Sequence, residues 1–388
     1  MRSLTDLFSE IKQDKALCLY GIALSLAYIL TIFYWYKTGG LHFASTDEPW
    51  CWPFYPQCWQ YRPTYPHAVF YFSLLGVLAF LSLTFFVYNK INKACLLLFV
   101  TWILTLILVI QDFRFRSNQF YTLSWVTLIY LFAPYKRINV AAIIVILYFW
   151  AGRLKLNWGW ISGAGLYEKL WIIPESLTVP ACTYVIILEM IFIWGLLVRS
   201  KWIFWITFIQ LIAFHLQSFS QIVYWYPWLM FLLLTFFVLH RVVPVEPAIN
   251  NSIDIFSWNK STWILVAICS ALQINPIVYA DTPLRVSTWR FLAVHMFEAK
   301  YSCDIQLEKN FIDGSKRAIA VNVLLNEKMK CEPVIYWSHA RNRCREWSLD
   351  PNFSSLELLI TYKRYPDIDR KLIKMTCKDG GDVWISYQ

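Results

Sequence analysis

About nine runs of apolar residues, each close to the 20 or so that an α-helix needs to cross a hydrocarbon core, leave this chain few architectures to adopt. They fall near residues 16–36, 67–88, 94–111, 119–134, 138–155, 181–198, 202–217, 222–240 and 261–280. In lipid every backbone polar group must be satisfied within the protein, so runs of this length are expected as helices. The first run is too long for the core of a signal peptide and is not followed by a cleavage site, so it reads as a membrane helix. Charged residues make up only 15% of the chain, against about 25% in soluble domains. Aromatic residues reach 19%, including 21 tryptophans, the type that collects at membrane–water interfaces.

The net charge of +10 does not indicate nucleic acid as a partner. The Lys and Arg residues sit in short clusters between apolar runs, as topogenic signals do. With the N-terminus cytoplasmic, the inner side receives Arg2, Lys12, Lys15, Lys90, Lys93, Lys136, Arg137, Arg199, Lys201, Arg241 and Lys260. The outer loop 37–66 holds only Lys37 and Arg62, and loop 156–180 only Lys169. Arg114, Arg116, Arg153 and Lys155 are the exceptions. An odd number of spans places residues 281–388 outside the cytoplasm.

The expected fold is therefore an all-α polytopic transmembrane domain over 1–280 and a non-cytoplasmic C-terminal α+β domain over 281–388. In the latter, Cys303–Leu307, Ile319–Leu325 and Leu356–Tyr362 alternate as strands do, Asp313-Gly314 and Asp379-Gly380-Gly381 supply turns, and Pro333–Glu346 has helical character. Six cysteines fall on the outer side: Cys51, Cys58, Cys303, Cys331, Cys344 and Cys377. An even set in one oxidising compartment reads as disulfides of open connectivity, with one bridge expected between loop 37–66 and the C-terminal domain. The six histidines are scattered and no ligand spacing occurs, so no metal site is expected.

Ionisable residues inside a membrane are costly and mark function by default. Glu189 lies in the middle of one run, His215 near the outer end of another, and Lys155 at the end of a third. The competing structural readings are a snorkelling lysine, a packed histidine and a neutral glutamic acid bonding a neighbouring helix. Gln210, Gln217 and Gln221 share one helical face, which must look onto protein or a cavity.

The segment Ala151-Gly-Arg-Leu-Lys-Leu-Asn-Trp-Gly-Trp-Ile-Ser-Gly163 resembles the motif that ends a membrane helix in the vitamin K-dependent γ-glutamyl carboxylase family. That family is part of the broader horizontally transferred transmembrane domain family, of which this would be a short, bacterial-type member. Phe214-His215 with Pro227–Met230 is similar to its Phe-His segment, Glu189 stands where the family has an acidic residue, and Trp289–His295 resembles the opening of its luminal domain. The resemblance implies that Lys155 is the catalytic base, with Gln119, Asn157, Trp158, Trp160, Glu189 and His215 around the quinone. It implies reduced vitamin K or menaquinol as cofactor, O2 and CO2 as co-substrates, and no metal. The implied chemistry is O2-dependent epoxidation coupled to carboxylation of glutamate in an exported peptide or protein. The expected setting is the inner membrane of a bacterium, or the endoplasmic reticulum of a eukaryote. Gln119 stands at a family histidine and Gly21 at a family arginine. Two alternatives remain: a quinol oxygenase without carboxylation, and a non-enzymatic maturation or immunity factor for a secreted peptide.

Overall fold

A computed structural model describes residues 8–45, 49–52, 54–61, 63–164, 166, 170, 172–219, 225–243, 253, 258–278, 293, 301–319, 321, 333–364, 370–378 and 384–387. Each apolar run forms a helix. After a short α1 (Ser9–Gln13) come α2 (Lys15–Lys37) and the short α3 (Gly40–Ala44). Next are α4 (Tyr65–Val87), α5 (Ile91–Gln111), α6 (Asn118–Phe132), α7 (Lys136–Leu154) and the one-turn α8 (Trp158–Ile161). The bundle ends with α9 (Thr178–Met190), α10 (Lys201–Ser218), α11 (Trp225–Val242) and α12 (Lys260–Val278).

Six helical segments have both the length and the apolarity of a membrane span: α2, α4, α5, α7, α11 and the stretch Glu175–Leu197 that contains α9. The other three expected spans are helical but fall short of that measure. α6 has only 15 residues. α10 is long enough but carries Lys201, Gln210, His215 and Gln217. α12 has a shorter apolar stretch, Lys260–Ile274.

The helices differ in what surrounds them. In α7, 78% of the apolar window is buried inside the protein, against 28% in α4. α7 packs against α6, α9, α11 and α12, so it is the central post of the bundle. α4 presents Phe70, Val77, Phe80 and Val87 outward, as a lipid-facing helix does.

One end of the bundle collects charge. Asp14 caps α2 by accepting from the backbone N–H of Ala16 and Leu17, and also pairs with Arg137 at the start of α7. Arg137 in turn contacts His240 at the end of α11 (3.1 Å). Glu10 accepts from the backbone N–H of Tyr135 and Lys136, and Arg241 donates to the carbonyls of Val198 and Arg199. The basic residues expected on the inner side at the starts of α2 and α7 and at the end of α11 thus share one end.

At the opposite end, loop 49–61 is stitched to α5. Trp50 N–H donates to Asp112 (3.2 Å), Phe113 N–H donates to the Trp50 carbonyl (2.8 Å), and Trp52 Nε1 donates to the Val109 carbonyl (2.7 Å). Arg114, an exception to the charge rule, lies buried here against Asp112 (2.6 Å). A paired, buried arginine is no longer a surface charge that sets topology.

The C-terminal domain is an antiparallel sheet in the order β2-β1-β3-β4-β5. The strands are β1 (Tyr301–Phe311), β2 (Lys316–Ile319), β3 (Phe353–Arg364), β4 (Arg370–Lys378) and β5 (Trp384–Tyr387). Helix α13 (Pro333–Trp347) covers β3 and β4. Alternating Leu356, Leu358 and Ile360 are buried with Leu307, Met375 and Cys377. Tyr336, Ala340 and Cys344, four residues apart on one helical face, are buried as well.

Two disulfides are described: Cys51–Cys58 within the loop and Cys344–Cys377 between α13 and β4, with Cα–Cα distances of 5.6 and 6.4 Å. The expected bridge from loop 37–66 to the C-terminal domain is therefore corrected, because both loop cysteines are spent on each other. The two regions meet instead through rings. Trp50 stacks on His339 (4.7 Å between centroids, planes 12° apart) and meets Tyr336 edge-on (5.6 Å). Cys331, the Cys303 side chain, the Asp379-Gly380-Gly381 turn and, except for Ala293, the Trp289–His295 segment lie outside the described residues.

Candidate functional site

α7 runs without a break to Leu154, and its apolar face brings Gly152 against α9. A Cβ at Gly152 would lie 2.8 Å from Met190 Cγ and 2.9 Å from Glu189 Cβ, so only glycine permits this approach. Lys155 follows at the helix C-cap, its N–H donating to the carbonyl of Gly152 (3.1 Å). Asn157 secures the link to α8. Its Oδ1 accepts from Trp160 N–H (3.0 Å) and its Nδ2 donates to the Leu154 carbonyl (3.0 Å). Asn157 thus serves the backbone around the site and has no described contact with the lysine head.

The Lys155 Nζ donates to the Glu189 carboxylate, and both side chains are almost fully buried, at 3% and 1% exposure. Burying two charged heads is expensive unless each satisfies the other, which this geometry provides. Trp160 and Phe214 present ring faces to the Lys155 Nζ, at 5.3 and 5.7 Å from their centroids. Trp160 is held by its indole N–H, which donates to the Cys182 carbonyl of α9 (3.1 Å). Aromatic faces around a buried cation stabilise its charge without competing for its protons.

Beside this pair, Tyr148 on α7 and His215 on α10 share a hydrogen bond of 2.6 Å. Both are buried. The ring of His215 sits among Phe214, Tyr226 and Phe231. The other ring nitrogen, Nδ1, is buried without a partner among the described residues. Phe214 links the two couples: its ring faces the Lys155 Nζ and lies 4.9 Å from the His215 ring.

The structure thus joins Lys155, Trp160, Glu189 and His215 of the expected set, leaves Asn157 bonded to the adjoining backbone, and separates two others from them. Trp158 is 61% exposed and has no described contact with the pair. Gln119 is buried at the start of α6, where its amide donates to Thr31 on α2 (3.1 Å). Gly21 has no room for a side chain: a Cβ would lie 2.4 Å from Phe86 and 2.7 Å from the Tyr130 hydroxyl. Of the polar face on α10, Gln217 accepts from Ile172 N–H (3.3 Å), and Gln221 lies outside the described residues.

Tyr148 was not singled out by the sequence. Its only signal is a polar hydroxyl in an apolar run, two helical turns before Lys155. The Lys155–Glu189 pairing also had a signal, since an intramembrane charge requires an opposite one nearby. Among the described residues there is no group of three or more metal-ligating side chains. Comparison of the chain with protein-family models, curated proteins and solved structures returns no match.

Proposed function

We propose that this chain is a multi-pass membrane enzyme whose Lys155–Glu189 pair takes a proton from a lipid-soluble hydroquinone, in the service of modifying an exported peptide or protein. The observation that carries the reading is the buried pair under aromatic faces. A structural ion pair needs neither a ring of aromatic walls nor an adjacent Tyr148–His215 couple with an open nitrogen. Those features fit a flat molecule that carries hydroxyl groups. Trp160 and Phe214 would hold its ring, and His215 would meet its polar edge.

The pair shares one dissociable proton between two heads and is neutral overall in either arrangement. With that proton on Glu189, the neutral Lys155 amine takes a second one from an O–H bond of the substrate, which leaves a single positive charge on the pair. Lys155 carries that charge and faces the anion it has produced. In a site shielded from water this attraction is far stronger than in solution. Trp160 and Phe214 keep water from the amine, and Gly152 keeps Glu189 within its reach. By resemblance, a bound reduced naphthoquinone supplies the hydroxyl and the reducing power for O2-dependent epoxidation, which drives carboxylation of glutamate with CO2.

In the accompanying topology all nine long helices cross the bilayer and the N-terminus is cytoplasmic. The charged end of the bundle, with Asp14, Arg137, His240 and Arg241, supports that orientation. The disulfides support an oxidising compartment for the other end. The membrane is then that of an export route, the bacterial inner membrane or the endoplasmic reticulum.

Gln119 favours a second reading. An amide committed to Thr31 cannot relay a proton as the histidine of the resembled family would. This points to quinol oxygenation without carboxylation. The test is the purified protein with reduced vitamin K or menaquinol, O2 and CO2, with and without a glutamyl peptide. Epoxide with carboxylated peptide supports the main reading, and epoxide alone selects the second. No epoxide, in protein shown to be folded, overturns both and leaves a non-enzymatic maturation or immunity role.

A further inference from the structure

The Tyr148 hydroxyl and His215 Nε2 lie 2.6 Å apart, and both side chains are buried. That distance fixes which way the imidazole faces, because half a turn of the ring would bring a carbon up against the Tyr148 oxygen. The ring is also walled in. It meets Tyr148 and Tyr226 edge-on, with planes 62° and 64° apart, and Phe231 at 90°. No carboxylate bonds His215 among the described residues, and that of Glu189 is held by Lys155. A buried imidazolium without a partner is costly, so the ring is neutral. A neutral imidazole has one N–H and one bare nitrogen, which leaves two arrangements. With the proton on Nε2, the ring donates to Tyr148. The Tyr148 O–H then has no acceptor among the described residues, and the bare Nδ1 has no donor. With the proton on Nδ1, the Tyr148 hydroxyl donates to Nε2, and only the Nδ1–H is unmet. One unmet buried group costs less than two.

We propose that Tyr148 is a positioning residue, which holds His215 as a neutral donor with its proton on Nδ1 and its basic nitrogen occupied. His215 then cannot act as a proton acceptor. The lone pair of Nε2 is taken by the Tyr148 hydroxyl, and Nδ1 already carries its proton. The bearing of this on turnover rests on the proposed function, which it deepens by dividing the labour of the site. Proton uptake is left to the Lys155–Glu189 pair, and the Tyr148–His215 couple takes the opposite task of lending a hydrogen bond to an oxygen on which negative charge develops. A donor fixed before the reaction needs no reorganisation during it. A histidine free to accept would compete with the amine for the same proton, and Tyr148 removes that competition. One rigid element positions both tasks, since Tyr148 lies on α7 two turns before Lys155 at its C-cap, on the same side of the helix.

Magic-angle-spinning NMR of the full-length protein in lipid bilayers, labelled with 13C,15N-histidine, reads the tautomer directly. A protonated ring nitrogen and a bare one differ widely in 15N shift, and one-bond correlations tell Nδ1, bonded to Cγ, from Nε2, bonded to Cδ2. The His215 signals are those lost in His215→Gln. The expected result near neutral pH is a protonated Nδ1 and a bare, hydrogen-bonded Nε2. Tyr148→Phe should release the ring, so that the proton appears on Nε2 or is shared between the two nitrogens. A proton on Nε2 in the parent protein overturns the proposal, whether or not the variant folds, and so does a doubly protonated ring. An Nδ1–H signal unchanged by Tyr148→Phe gives the tautomer another cause and overturns it too. In the quinol assay Tyr148→Phe should lower kcat about tenfold, the worth of one hydrogen bond, with KM little changed. A parent protein that shows the Nδ1–H signal but makes no epoxide overturns the enzyme reading, while the assignment of the tautomer to Tyr148 stands.

Discussion

Lys155 at the end of one membrane helix hydrogen-bonds Glu189 in another, thirty-four residues further along the chain, and both heads are sealed from solvent. Each head is tolerable only because of the other. Removing one alone strands a buried charge, which typically costs about 3–5 kcal/mol, whereas replacing both with apolar groups of similar size is often neutral. Lys155→Met and Glu189→Leu are each expected to lower the thermal midpoint in detergent, and the double variant should recover most of the loss. All three should lack quinol-dependent turnover. Single variants as stable as the double would show that the pair contributes nothing to the fold.

Lys155→Arg separates the chemistry from the packing. Arginine keeps the positive charge and can still bond Glu189, but it does not give up its proton at any working pH. The variant should fold and insert, yet fail to produce epoxide. Turnover equal to that of the parent protein would remove Lys155 from the role of base and leave it as an ion-pair partner only.

Gly152 controls the pair from one turn away. A Cβ there would press on both Met190 and the Cβ of Glu189, and the backbone around Met190 cannot yield as a flexible side-chain tip can. Gly152→Val should push α9 away from α7 and part the two heads. The expected outcome is a loss of activity as complete as in Lys155→Met, with a destabilisation on the order of 1–3 kcal/mol from overpacking. Unchanged activity in this variant would mean that the separation of the helices does not set the separation of the heads.

Much of this architecture is legible in the chain before any coordinates. Each apolar run becomes a helix, because a membrane-length stretch has no other way to satisfy its backbone. The strands β1 and β3 and helix α13 also announce themselves, through alternation in Leu356–Ile360 and through the four-residue spacing of Tyr336, Ala340 and Cys344. β4 does not, because four of its nine residues are Lys or Arg, around the buried Met375 and Cys377. β5, with four residues, is too short to display a period. The candidate site is legible one residue at a time, as isolated charges in apolar runs. Which charge meets which depends on a helix–helix contact at Gly152, and a glycine near a helix end gives no hint of the partner it will admit. The link between loop 37–66 and the C-terminal domain is hidden from the sequence for a similar reason. Cysteine counts point to disulfides but not to their pairing, and nothing in local sequence joins Trp50 to His339.

The described cysteine pairs give a direct check on loop 49–61 and the C-terminal domain. Non-reducing peptide mapping should recover Cys51 linked to Cys58 and Cys344 linked to Cys377. Loss of the second bridge should matter more. It closes a loop of 33 residues against 7, and the entropy withheld from the unfolded chain grows with loop length. The paired change Cys344→Ala/Cys377→Ala is expected to cost about 2–5 kcal/mol in the C-terminal domain. A bridge between Cys51 or Cys58 and any C-terminal cysteine would contradict the structure.

The stack of Trp50 on His339 makes docking of the C-terminal domain sensitive to acid. Burial holds the His339 imidazole down to about 3, and the Arg343 guanidinium pushes it the same way. The docked histidine is therefore neutral, while an undocked or unfolded one has the ordinary value near 6.5. Between those two values the released state binds more protons than the docked state, so docking weakens steadily as pH falls from about 6.5 towards 3 and is unaffected above that window. The neighbouring groups do not produce the same profile. Tyr336 is pushed upward by burial and stays neutral throughout, and Asp350 is held below the usual carboxylate range by its bond from Lys309. Hydrogen exchange of the α13 amides, corrected for the intrinsic rate, should show protection at pH 7.5 that is reduced at pH 5. His339→Phe keeps a flat ring against Trp50 but cannot take up a proton, so its protection should be the same at both values. If the parent protein and His339→Phe lose protection equally, the acid sensitivity lies elsewhere, and the stack is a contact without a titrating partner.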